Sequence, residues 1–498
     1  HESHHSPAPV QTISGEKLKK LNSLSVADAL RYFSGVQLKD YGGVGGIKTV
    51  NVRSMGSQHT GVFYDGIQLG NAQNGQVDLG KFSLENMEHV SLYQGQRTEM
   101  DQSAKSYASA NTIYLKTKDP KFKNGQNYHV TTGVRSGSFG LFNPSVSLNY
   151  KINESVSARV STEMVRADGK YKFQYSNGVY DTIAQRNNAD ITSYRVEASL
   201  HGQHKNDATW NLKYYHYDSE RGLPGAIVAN RFKRPQRLWD RSNFIQADYK
   251  HKFGNNYTAT IRGKYAEEFS RYVDPEIVTT IGFLDNRYDQ QEYYLSLVNS
   301  YKIKPFWTES LASDFQQNVM QANLYRFAYP KRNSLLNALA TNLNFERFNL
   351  QASLLSTTIN ESVKYYDAAD DFQKYSPSLL VNFQPFTSPD FRIRGFYKTI
   401  FRMPTFNDLY YTFVGNTFLD PEYSEQINLG FSWQKEIGTM VFNITTDLYK
   451  NWITNKIVAV PGTNLFRWTM FNIGEVETTG IETKLANSGK IGSNVNYT

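Results

Sequence analysis

The chain has 498 residues, a formal net charge of +8, a mean hydropathy of −0.55 and no cysteine. A chain of this length exceeds one ordinary domain, and the absence of cysteine excludes a disulfide framework and a thiolate metal site. No run approaches the roughly 18 to 20 apolar residues that a membrane-spanning helix needs. Lys and Arg are scattered along the chain, whereas a nucleic-acid partner would need a basic stripe.

The first structured stretch begins with a short helix after the lead-in over residues 1–24. Apolar residues at helical spacing follow Ser25, a good N-cap residue, and stop before Gly35. A first helical turn is also expected within residues 15–24. Three short strands should follow the helix, over residues 35–39, 48–54 and 61–69.

Two glycine-rich links between these strands are candidate ligand-contacting segments. Because each strand should reverse the direction of the one before, residues 40–47 and 70–77 are expected at one end and residues 55–60 at the other. Glycine lets the backbone approach a ligand closely, and amide and hydroxyl side chains can bind it. The alternative is that both links are ordinary solvated turns. The candidate residues are Tyr41, Gly42, Gly43, Asn71, Gln73, Asn74 and Gln76.

From Tyr128 onward, apolar and polar residues alternate, which predicts strands with one apolar and one polar face. Short links alternate with long ones, and this sorting is typical of outer-membrane barrels and not of sandwiches or propellers. The pattern predicts a large antiparallel transmembrane β-barrel, in an all-β-dominated fold, with sixteen strands and the start of a seventeenth at residues 494–498. The long connections are expected near residues 167–191, 219–239, 270–290, 319–333, 361–375, 401–423 and 452–466.

Four ordered sequence blocks within residues 25–95 resemble the plug domain of TonB-dependent outer-membrane receptors. Two further blocks, at residues 219–225 and 401–422, are similar to segments of the barrels of that family. The amino-acid sequence of residues 40–84 is most similar to the corresponding segment of the cobalamin (BtuB-like) receptors. The plug blocks are Ala27-Asp28-Ala29-Leu30 with Gly35-Val36, Val50-Asn51-Val52-Arg53, Phe63-Tyr64-Asp65-Gly66-Ile67 and Met87-Glu88-His89-Val90 with Gly95.

The resemblance implies both a fold and an activity. Residues 25–118 would form an α+β plug inside the lumen of a barrel formed by residues 119–498. Barrels of this family have twenty-two strands, about six more than this sequence holds. The resemblance implies a protein of the Gram-negative outer membrane, embedded in its lipids. It would import a small molecule with energy from TonB and its inner-membrane complex, through a coupling peptide that would precede Pro7 and is not found.

Charged residues inside strand-like runs predict contacts between the plug and the barrel. Arg53 and Asp65 are costly at such positions unless each has a partner. The resemblance implies that Arg53 meets inward carboxylates of the barrel wall, and Glu482 matches one of these acids. The second expected acid is replaced by Asn428, so one partner of the family's charge cluster is missing.

The cargo is the least determined part of the function. The resemblance places the two glycine-rich plug links outward, and their neutral amides favour a large amide-decorated ligand such as a corrinoid. Tyr410 and Tyr411 offer amphipathic contact area, either for the ligand or for an interfacial girdle. The alternatives are a siderophore or haem receptor and a passive barrel or adhesin, which would carry no plug. The resemblance also allows a surface lipoprotein cap over the outer loops.

No arrangement of residues predicts an enzyme. The sequence holds no Ser/His/Asp set, nucleotide-binding loop or zinc helix at workable spacing, and no organic cofactor is expected. Asp367, Asp370 and Asp371 lie together in a predicted long loop, and oxygen ligands at that density could bind calcium, as in some relatives. The three carboxylates lack the full spacing of a calcium loop, so a solvated acidic loop is the simpler interpretation.

Overall fold

The computed structural model describes residues 6–123, 125–205, 207–227, 230–232, 234–280, 282–461, 468–491 and 495–497. The start of the lead-in and parts of the predicted connection at 452–466 and of the predicted strand at 494–498 lie outside these residues. None of the helices in the described part of the chain is long and apolar enough to cross a membrane.

The first part of the chain forms a small α+β unit, the plug. Its helices are α1 (Gly15–Lys20) and α2 (Val26–Leu30), and short 3-10 turns cover Gly43–Gly45, Ser57–His59, Leu79–Lys81, Leu84–Asn86 and Ala104–Tyr107. Its strands are β1 (Val10–Ser14), β2 (Val36–Asp40), β3 (Lys48–Val52), β4 (Thr60–Tyr64), β5 (Ile67–Leu69), β6 (Met87–Gln94) and β7 (Asn111–Thr117). The main sheet has the order β1-β6-β7-β4-β5, in which β4 and β7 are parallel, while β2 and β3 form a separate antiparallel pair.

Three plug elements are shorter than the sequence predicts. The strand predicted over residues 48–54 ends at Val52, because Arg53 and Ser54 have φ angles of 50° and 57° and leave the strand. Ser25 caps α2 as expected, and its backbone N–H donates to Asp28 at 3.3 Å. The helix ends at Leu30, because the chain tightens into i→i+3 hydrogen bonds before Gly35. The predicted strand over residues 61–69 is interrupted at Asp65 and Gly66, whose φ angles of 47° and 86° form the turn between β4 and β5.

Seventeen strands of the described chain form one closed barrel whose neighbours follow the chain order. One hairpin, made of β11 (Lys172–Asn177) and β12 (Tyr180–Gln185), stands outside it, and a third helix, α3 (Phe406–Tyr410), lies in a connection. The strands are β8 (Tyr128–Gly137), β9 (Leu141–Lys151), β10 (Val156–Ala167), β11 (Lys172–Asn177), β12 (Tyr180–Gln185), β13 (Ile191–His204), β14 (Ala208–Gly222), β15 (Arg237–Phe253), β16 (Tyr257–Thr279), β17 (Gly282–Lys304), β18 (Trp307–Ala322), β19 (Lys331–Asn344), β20 (Phe348–Ser362), β21 (Phe372–Phe383), β22 (Phe391–Arg402), β23 (Glu422–Ile437), β24 (Met440–Pro461), β25 (Trp468–Ile491) and β26 (Val495–Tyr497).

The barrel wall is apolar outside and polar inside. Along β17, Leu295 and Leu297 are exposed on the outer face, whereas Ser296 between them is buried. On the neighbouring β18, Phe315 is exposed and Asp314 is completely buried. Successive side chains of a strand point to opposite faces, so the outer face suits lipid and the inner face suits a polar filling.

The connections are sorted by length as predicted, with two corrections. The described part of the expected connection at 452–466 is strand, because β24 continues to Pro461 and pairs there with β25. Short turns join β9 to β10 and β23 to β24, while the longer connections lie at the opposite end of the barrel, called the outer end here. The expected long loop at residues 270–290 is instead mostly strand. The pairing of β16 with β17 continues to the pair Asp274–Leu284 and, after a bulge in β16, to the pair Thr279–Gly282. This hairpin therefore projects past its neighbours as a paired ribbon.

A cluster of aromatic rings joins the plug to the inner wall. Tyr64 and Phe82 of the plug lie 5.6 Å apart between ring centroids, and Tyr64 meets the edge of Phe244 on β15, also at 5.6 Å. Tyr215 of β14 stacks on Phe244 at 4.7 Å. The hydroxyl of Tyr64 donates to Glu197 on the wall. The plug thus lies inside the ring of strands, with both apolar and polar contacts to it.

Residues 55–60 do not lie at the end that the sequence predicts. The imidazole of His59 is hydrogen-bonded to Glu422, the first residue of β23 after a long outer connection. Gln58 also borders Gly75, where an added Cβ would lie 3.2 Å from the Gln58 Cγ. The prediction was wrong because alternation of strand direction applies within one sheet, and β3 and β4 belong to different sheets.

Arg53 is the centre of a buried polar network between the plug and the wall. Its Nε donates to Glu482 Oε1 at 3.0 Å, and its Nη1 donates to the Asn428 side-chain oxygen at 3.0 Å. Gln94 of the plug accepts from Nη2 at 3.1 Å and donates to Glu482 Oε2 at 3.0 Å. Asn428 therefore keeps a hydrogen bond to the guanidinium, although it cannot supply the charge that a carboxylate would.

Asp65 is the plug's second ionic contact, on another part of the wall. It contacts Lys213 of β14 and accepts from the Thr117 backbone N–H at 2.9 Å. Burial opposes its ionisation, but Lys213, Lys116 and the hydrogen bonds outweigh burial and lower the pKa of Asp65 to about 2. Asp65 thus stays charged inside the barrel.

A third contact uses a wall cation and plug carbonyls. Lys398 of β22 is 1% exposed, and its ammonium donates to the backbone oxygens of Ser109 at 2.7 Å and Gly95 at 3.3 Å. Gly95 itself has a φ of 116°, and a Cβ there would lie 2.9 Å from the ring of Phe396. The plug backbone is therefore in close contact with β22, at a position that favours glycine.

We predict that Arg53→Ala lowers the free energy of unfolding by about 2 kcal/mol, since among the described residues Glu482 then keeps only the Gln94 donor. The Arg53→Ala/Glu482→Gln double variant should lose less than the sum of the two single losses, because no buried charge is then left alone. The free energies of unfolding of the wild type, Arg53→Ala, Glu482→Gln and the double variant are measured by calorimetry of the detergent-solubilised receptor. Wild-type melting of Arg53→Ala would show that the pair does not stabilise the plug.

We predict that Asp65 makes stability pH-dependent in acid. Its pKa of about 2 in the folded protein lies below the ordinary aspartate value of 3.8. The stabilisation, about 2 kcal/mol, is therefore complete above pH 4 and is lost as the pH falls through about 2. The stability difference between the wild type and Asp65→Asn should shrink from pH 5 to pH 2 in thermal unfolding. A difference that is constant over this range would contradict the prediction, and Asp207→Asn, in an exposed turn, controls for the loss of one charge.

Candidate functional site

The plug link over residues 70–77, called the amide loop here, is fixed to the outer connections of the barrel. Backbone N–H groups of Phe406 and Asn407 in α3 donate to the carbonyls of Ala72 and Gln73, both at 2.9 Å. The side chain of Gln290 on β17 accepts from the Gln73 N–H at 3.1 Å and donates to its side-chain oxygen at 3.2 Å. The carboxamide of Gln73 is thus engaged with the wall.

The side-chain oxygens of Asn71 and Asn74 accept hydrogen bonds from the backbone of the amide loop and fix its shape. Asn71 Oδ1 accepts from the backbone of Gln73 at 3.0 Å, and Asn74 Oδ1 accepts from the backbone of Gln76 at 3.0 Å. Gly75, with a φ of 70°, closes the turn by donating to the Asn71 carbonyl at 2.8 Å. Within the described part of the chain, no acceptor is assigned to the side-chain nitrogens of Asn71, Asn74 and Gln76.

A cavity of about 220 Å³, called the outer cavity here, lies between the amide loop and the wall. The plug contributes Asn71, and β18 contributes Gln316. Its upper rim is formed by Arg402 and Met403, at the outer end of β22. Gln76 lines a second, smaller cavity of about 60 Å³ with Asn71. The amide loop therefore borders both spaces.

The other predicted plug link, over residues 40–47, lines a different cavity. Tyr41, Gly42 and Gly43 line a cavity of about 440 Å³ with residues of the outer connections that include Tyr171 and Arg186. Tyr41 is 57% exposed, and Asp40 Oδ1 accepts from the backbones of Gly42 and Gly43. The two glycine-rich links thus share the outer end, as predicted, but they do not line one cavity.

Tyr410 has a structural role that the sequence did not indicate. It is 6% exposed, donates to Glu361 at 3.3 Å and accepts from the Ala369 N–H at 3.1 Å. Burial and the nearby Glu361 raise the pKa of Tyr410. Its ring belongs to an apolar cluster in which three outer connections meet, and the half-buried Tyr411 packs against that cluster. Tyr410 therefore holds loops together and offers little surface to a ligand.

Exposed aromatic rings of the same connections were missed by the sequence analysis. Tyr325 and Phe413 are 68% and 77% exposed and lie 6.3 Å apart between stacked rings. Tyr365 and Tyr366, in the connection between β20 and β21, are also exposed. The ammonium nitrogen of Lys364 lies 5.1 Å from the centroid of the Tyr365 ring. The signal was present as Tyr and Phe in three predicted long loops, but exposure could not be read from it.

His59 and Glu422 form a second feature that the sequence did not indicate. His59 Nε2 lies 2.7 Å from Glu422 Oε2, and Glu422 also accepts from Arg402 at 2.7 Å and from the Ile457 N–H at 2.8 Å. Burial lowers the pKa of His59, although Glu422 opposes this shift. A neutral imidazole that donates through Nε2 leaves Nδ1 as an acceptor, and His59 lines the outer cavity.

The carboxylates proposed for calcium do not form a ligand set. Asp371 accepts from the Asn360 side chain at 2.8 Å and from the Glu361 N–H at 3.0 Å, so it belongs to the end of β20. Among the described residues, which include Asp367 and Asp370, no group of three or more His, Cys, Asp or Glu side chains could hold a metal ion.

Comparisons with known proteins agree with this architecture. The family model "TonB-dependent Receptor Plug Domain" matches residues 3–105, and the model "TonB dependent receptor-like, beta-barrel" matches residues 163–498. The vitamin B12 transporter BtuB of Vibrio vulnificus (strain YJ016) is 22% identical over 487 residues, which cover 95% of this chain and 72% of the relative.

Solved structures show the same fold at lower identity. The copper transporter OprC superposes with a TM-score of 0.77 at 13% identity, over 99% of this chain and 78% of that chain. The siderophore receptor PirA from Pseudomonas aeruginosa gives a TM-score of 0.72 at 15% identity, over 99% and 84%. Since the barrel model alone matches residues 163–498, more than half of the protein, the chain belongs to the family of TonB-dependent receptors, which are outer-membrane transporters and not enzymes.

Proposed function

We propose that this receptor imports a corrinoid, most closely cobalamin, across the Gram-negative outer membrane. The observation that carries the proposal is the amide loop, in which Asn71, Asn74 and Gln76 have side-chain nitrogens without an assigned acceptor among the described residues. A corrin macrocycle bears carboxamides around its rim, and each carboxamide can accept from one amide and donate to another. The loop and this cargo are therefore chemically complementary.

The exposed aromatic rings of the outer connections fit a large, flat cargo. Tyr325, Tyr366 and Phe413 are each more than half exposed and offer rigid contact area at a low cost in side-chain entropy. The vitamin B12 transporter of Vibrio vulnificus, similar over 95% of this chain, supports the same cargo class. A surface lipoprotein that caps the outer loops, if one serves this receptor, would approach the same rings.

The energy for import would come from TonB and its inner-membrane complex, which would act on the N-terminal part of the plug. The outer membrane is leaky to ions and stores no potential, whereas the inner membrane supplies ~2.3 kcal/mol per charge per 100 mV. A plug that is bound to the wall through Arg53, Asp65 and Lys398 needs such a supply before it can open a path.

The second candidate cargo is a ferric siderophore or haem, with the same mechanism. The outer cavity favours it through Lys105, Arg332 and Arg402, because many such ligands are anionic. The siderophore receptor PirA shares the fold at 15% identity. A passive barrel or adhesin is disfavoured, since the plug fills the lumen and contacts several strands of the wall.

Titration calorimetry of the detergent-solubilised receptor tests the cargo. We expect cyanocobalamin to bind with a Kd below about 1 µM, whereas a ferric hydroxamate siderophore and haemin should give no binding heat. Strong binding of the siderophore or of haemin, together with no heat from the corrinoid, would replace the first cargo by the second.

We predict that Asn74→Ala and Gln76→Ala each weaken cyanocobalamin binding by about fivefold to tenfold, the value of one hydrogen bond. Asn153→Ala is the matched control, because Asn153 caps a turn at the opposite end by accepting from Ser155 at 2.8 Å, as Asn74 accepts from Gln76 at 3.0 Å. Equal affinity of all four proteins would place the cargo elsewhere on the receptor.

A further inference from the structure

We propose that the outer cavity contains an oxyanion subsite centred on the ammonium of Lys105, which takes a phosphate ester, phosphodiester or carboxylate group of the cargo. The inference rests on the proposed import function and specifies the charge of the group that enters deepest beside the plug. It follows from the charges, hydroxyl groups and hydrogen bonds around this one cavity.

Lys105 is held in place by hydrogen bonds, but its ammonium has no carboxylate partner among the described residues. Its backbone N–H donates to Asp314 Oδ2 at 2.8 Å, which fixes the turn Ala104–Tyr107 against β18. Its ammonium donates to the neutral side-chain oxygen of Gln316 at 2.7 Å, and no ion pair within 4.0 Å includes it among the described residues. One of the three donor hydrogens is thus used on an amide, and the cation faces the outer cavity.

Among the described residues, neither of the two nearest acids lies within ion-pair distance of the Lys105 ammonium. Asp314 also accepts from the hydroxyl of Tyr294 at 2.8 Å, and Glu292 lies 2.7 Å from the ammonium of Lys264. Burial lowers the pKa of Lys105, while Glu292 and Asp314 act on it from a greater distance and oppose this shift. Lys105 is therefore a half-buried cation for which an anionic ligand would be a favourable partner.

The two arginines that line the same cavity, Arg332 and Arg402, each form an ion pair with a glutamate that does not line it. Arg332 is paired with Glu361 and donates to the Pro404 carbonyl at 2.8 Å. Arg402 is paired with Glu422 at 2.7 Å. No aspartate or glutamate lines the outer cavity among the described residues, because these two carboxylates lie behind the arginines. Among the described residues, Lys105 is thus the cation of this cavity that has no ion-pair partner within 4.0 Å.

Two buried hydroxyl groups line the same cavity as Lys105. Thr60 of the plug and Thr357 of the wall both line the outer cavity, and the Oγ1 atoms of both have no hydrogen-bond partner among the described residues. Thr357 is 4% exposed. Buried hydroxyls are normally satisfied, so these two are available to donate to a ligand oxygen. The imidazole Nδ1 of His59, also unpartnered there, is an acceptor and would take a hydroxyl or amide hydrogen next to the oxyanion.

Matched corrinoids test the subsite. Cyanocobalamin carries a phosphodiester in its nucleotide loop, and cobinamide lacks that group. We expect Lys105→Met to weaken cyanocobalamin binding by about tenfold to a hundredfold, the loss of one charge-assisted hydrogen bond, and to leave cobinamide binding unchanged. Lys105→Arg should restore most of the affinity, since it keeps the charge.

Controls separate a ligand role from a folding role. Lys118→Met removes another partly buried plug lysine whose ammonium donates to a neutral oxygen, the Glu85 carbonyl, away from the outer cavity, and it should bind both corrinoids as the wild type does. Equal losses for both corrinoids in Lys105→Met, or no loss for either, would overturn the subsite. Calorimetric unfolding of each variant confirms that the receptor is folded.

Failure of the cargo proposal is distinguishable from failure of the subsite. If the wild type binds neither corrinoid, the cargo assignment is wrong, and inorganic phosphate then decides the subsite by phosphorus NMR. Line broadening of phosphate with the wild type and Lys118→Met, but not with Lys105→Met, would support an oxyanion subsite for another anionic cargo. Equal spectra for the three proteins would overturn it.

Discussion

The structure depends on the pairing of charged groups that the plug and the barrel remove from water together. The inner face of the wall is polar, so a domain that fills the lumen must supply a partner for each charge that it covers. Arg53 meets Glu482 on β25, and Asp65 meets Lys213 on β14. Breaking either pair would leave a charge buried. These pairs, with others such as Asp78 with Arg221 on β14 and Asp101 with Lys250 on β15, fix how the plug is oriented in the ring.

Much of this architecture could be predicted from the sequence. The alternation of apolar and polar residues after Tyr128 depends only on the period of a strand, and it predicted the barrel and the sorting of its connections. The plug was recognised from blocks such as Phe63-Tyr64-Asp65-Gly66-Ile67, whose Asp65 and Gly66 then proved to form a turn within a predicted strand. Residues 55–60 were misplaced, because the separation of β3 and β4 into different sheets is a tertiary property.

The candidate site could be predicted only in part. The amide loop was identified from its Gly, Asn and Gln residues, because these types act through local backbone geometry. Residue type alone could not distinguish Tyr410, which holds the outer connections together, from the exposed Tyr325 and Phe413. The role of Lys105 could not be predicted from the sequence either, since the position of its ammonium depends on how the turn Ala104–Tyr107 packs against β18.

The contact of Lys398 with backbone carbonyls of the plug bears on how the plug can move along the inner wall of the barrel. Its bonds to Ser109 and Gly95 are to neutral backbone oxygens, for which water is an equivalent partner. A wall lined by such groups loses little enthalpy when solvent enters, in contrast to an interdigitated apolar core. The surface that seals the lumen is thus also one that can be wetted stepwise and then act as a hydrophilic lining for a passing solute.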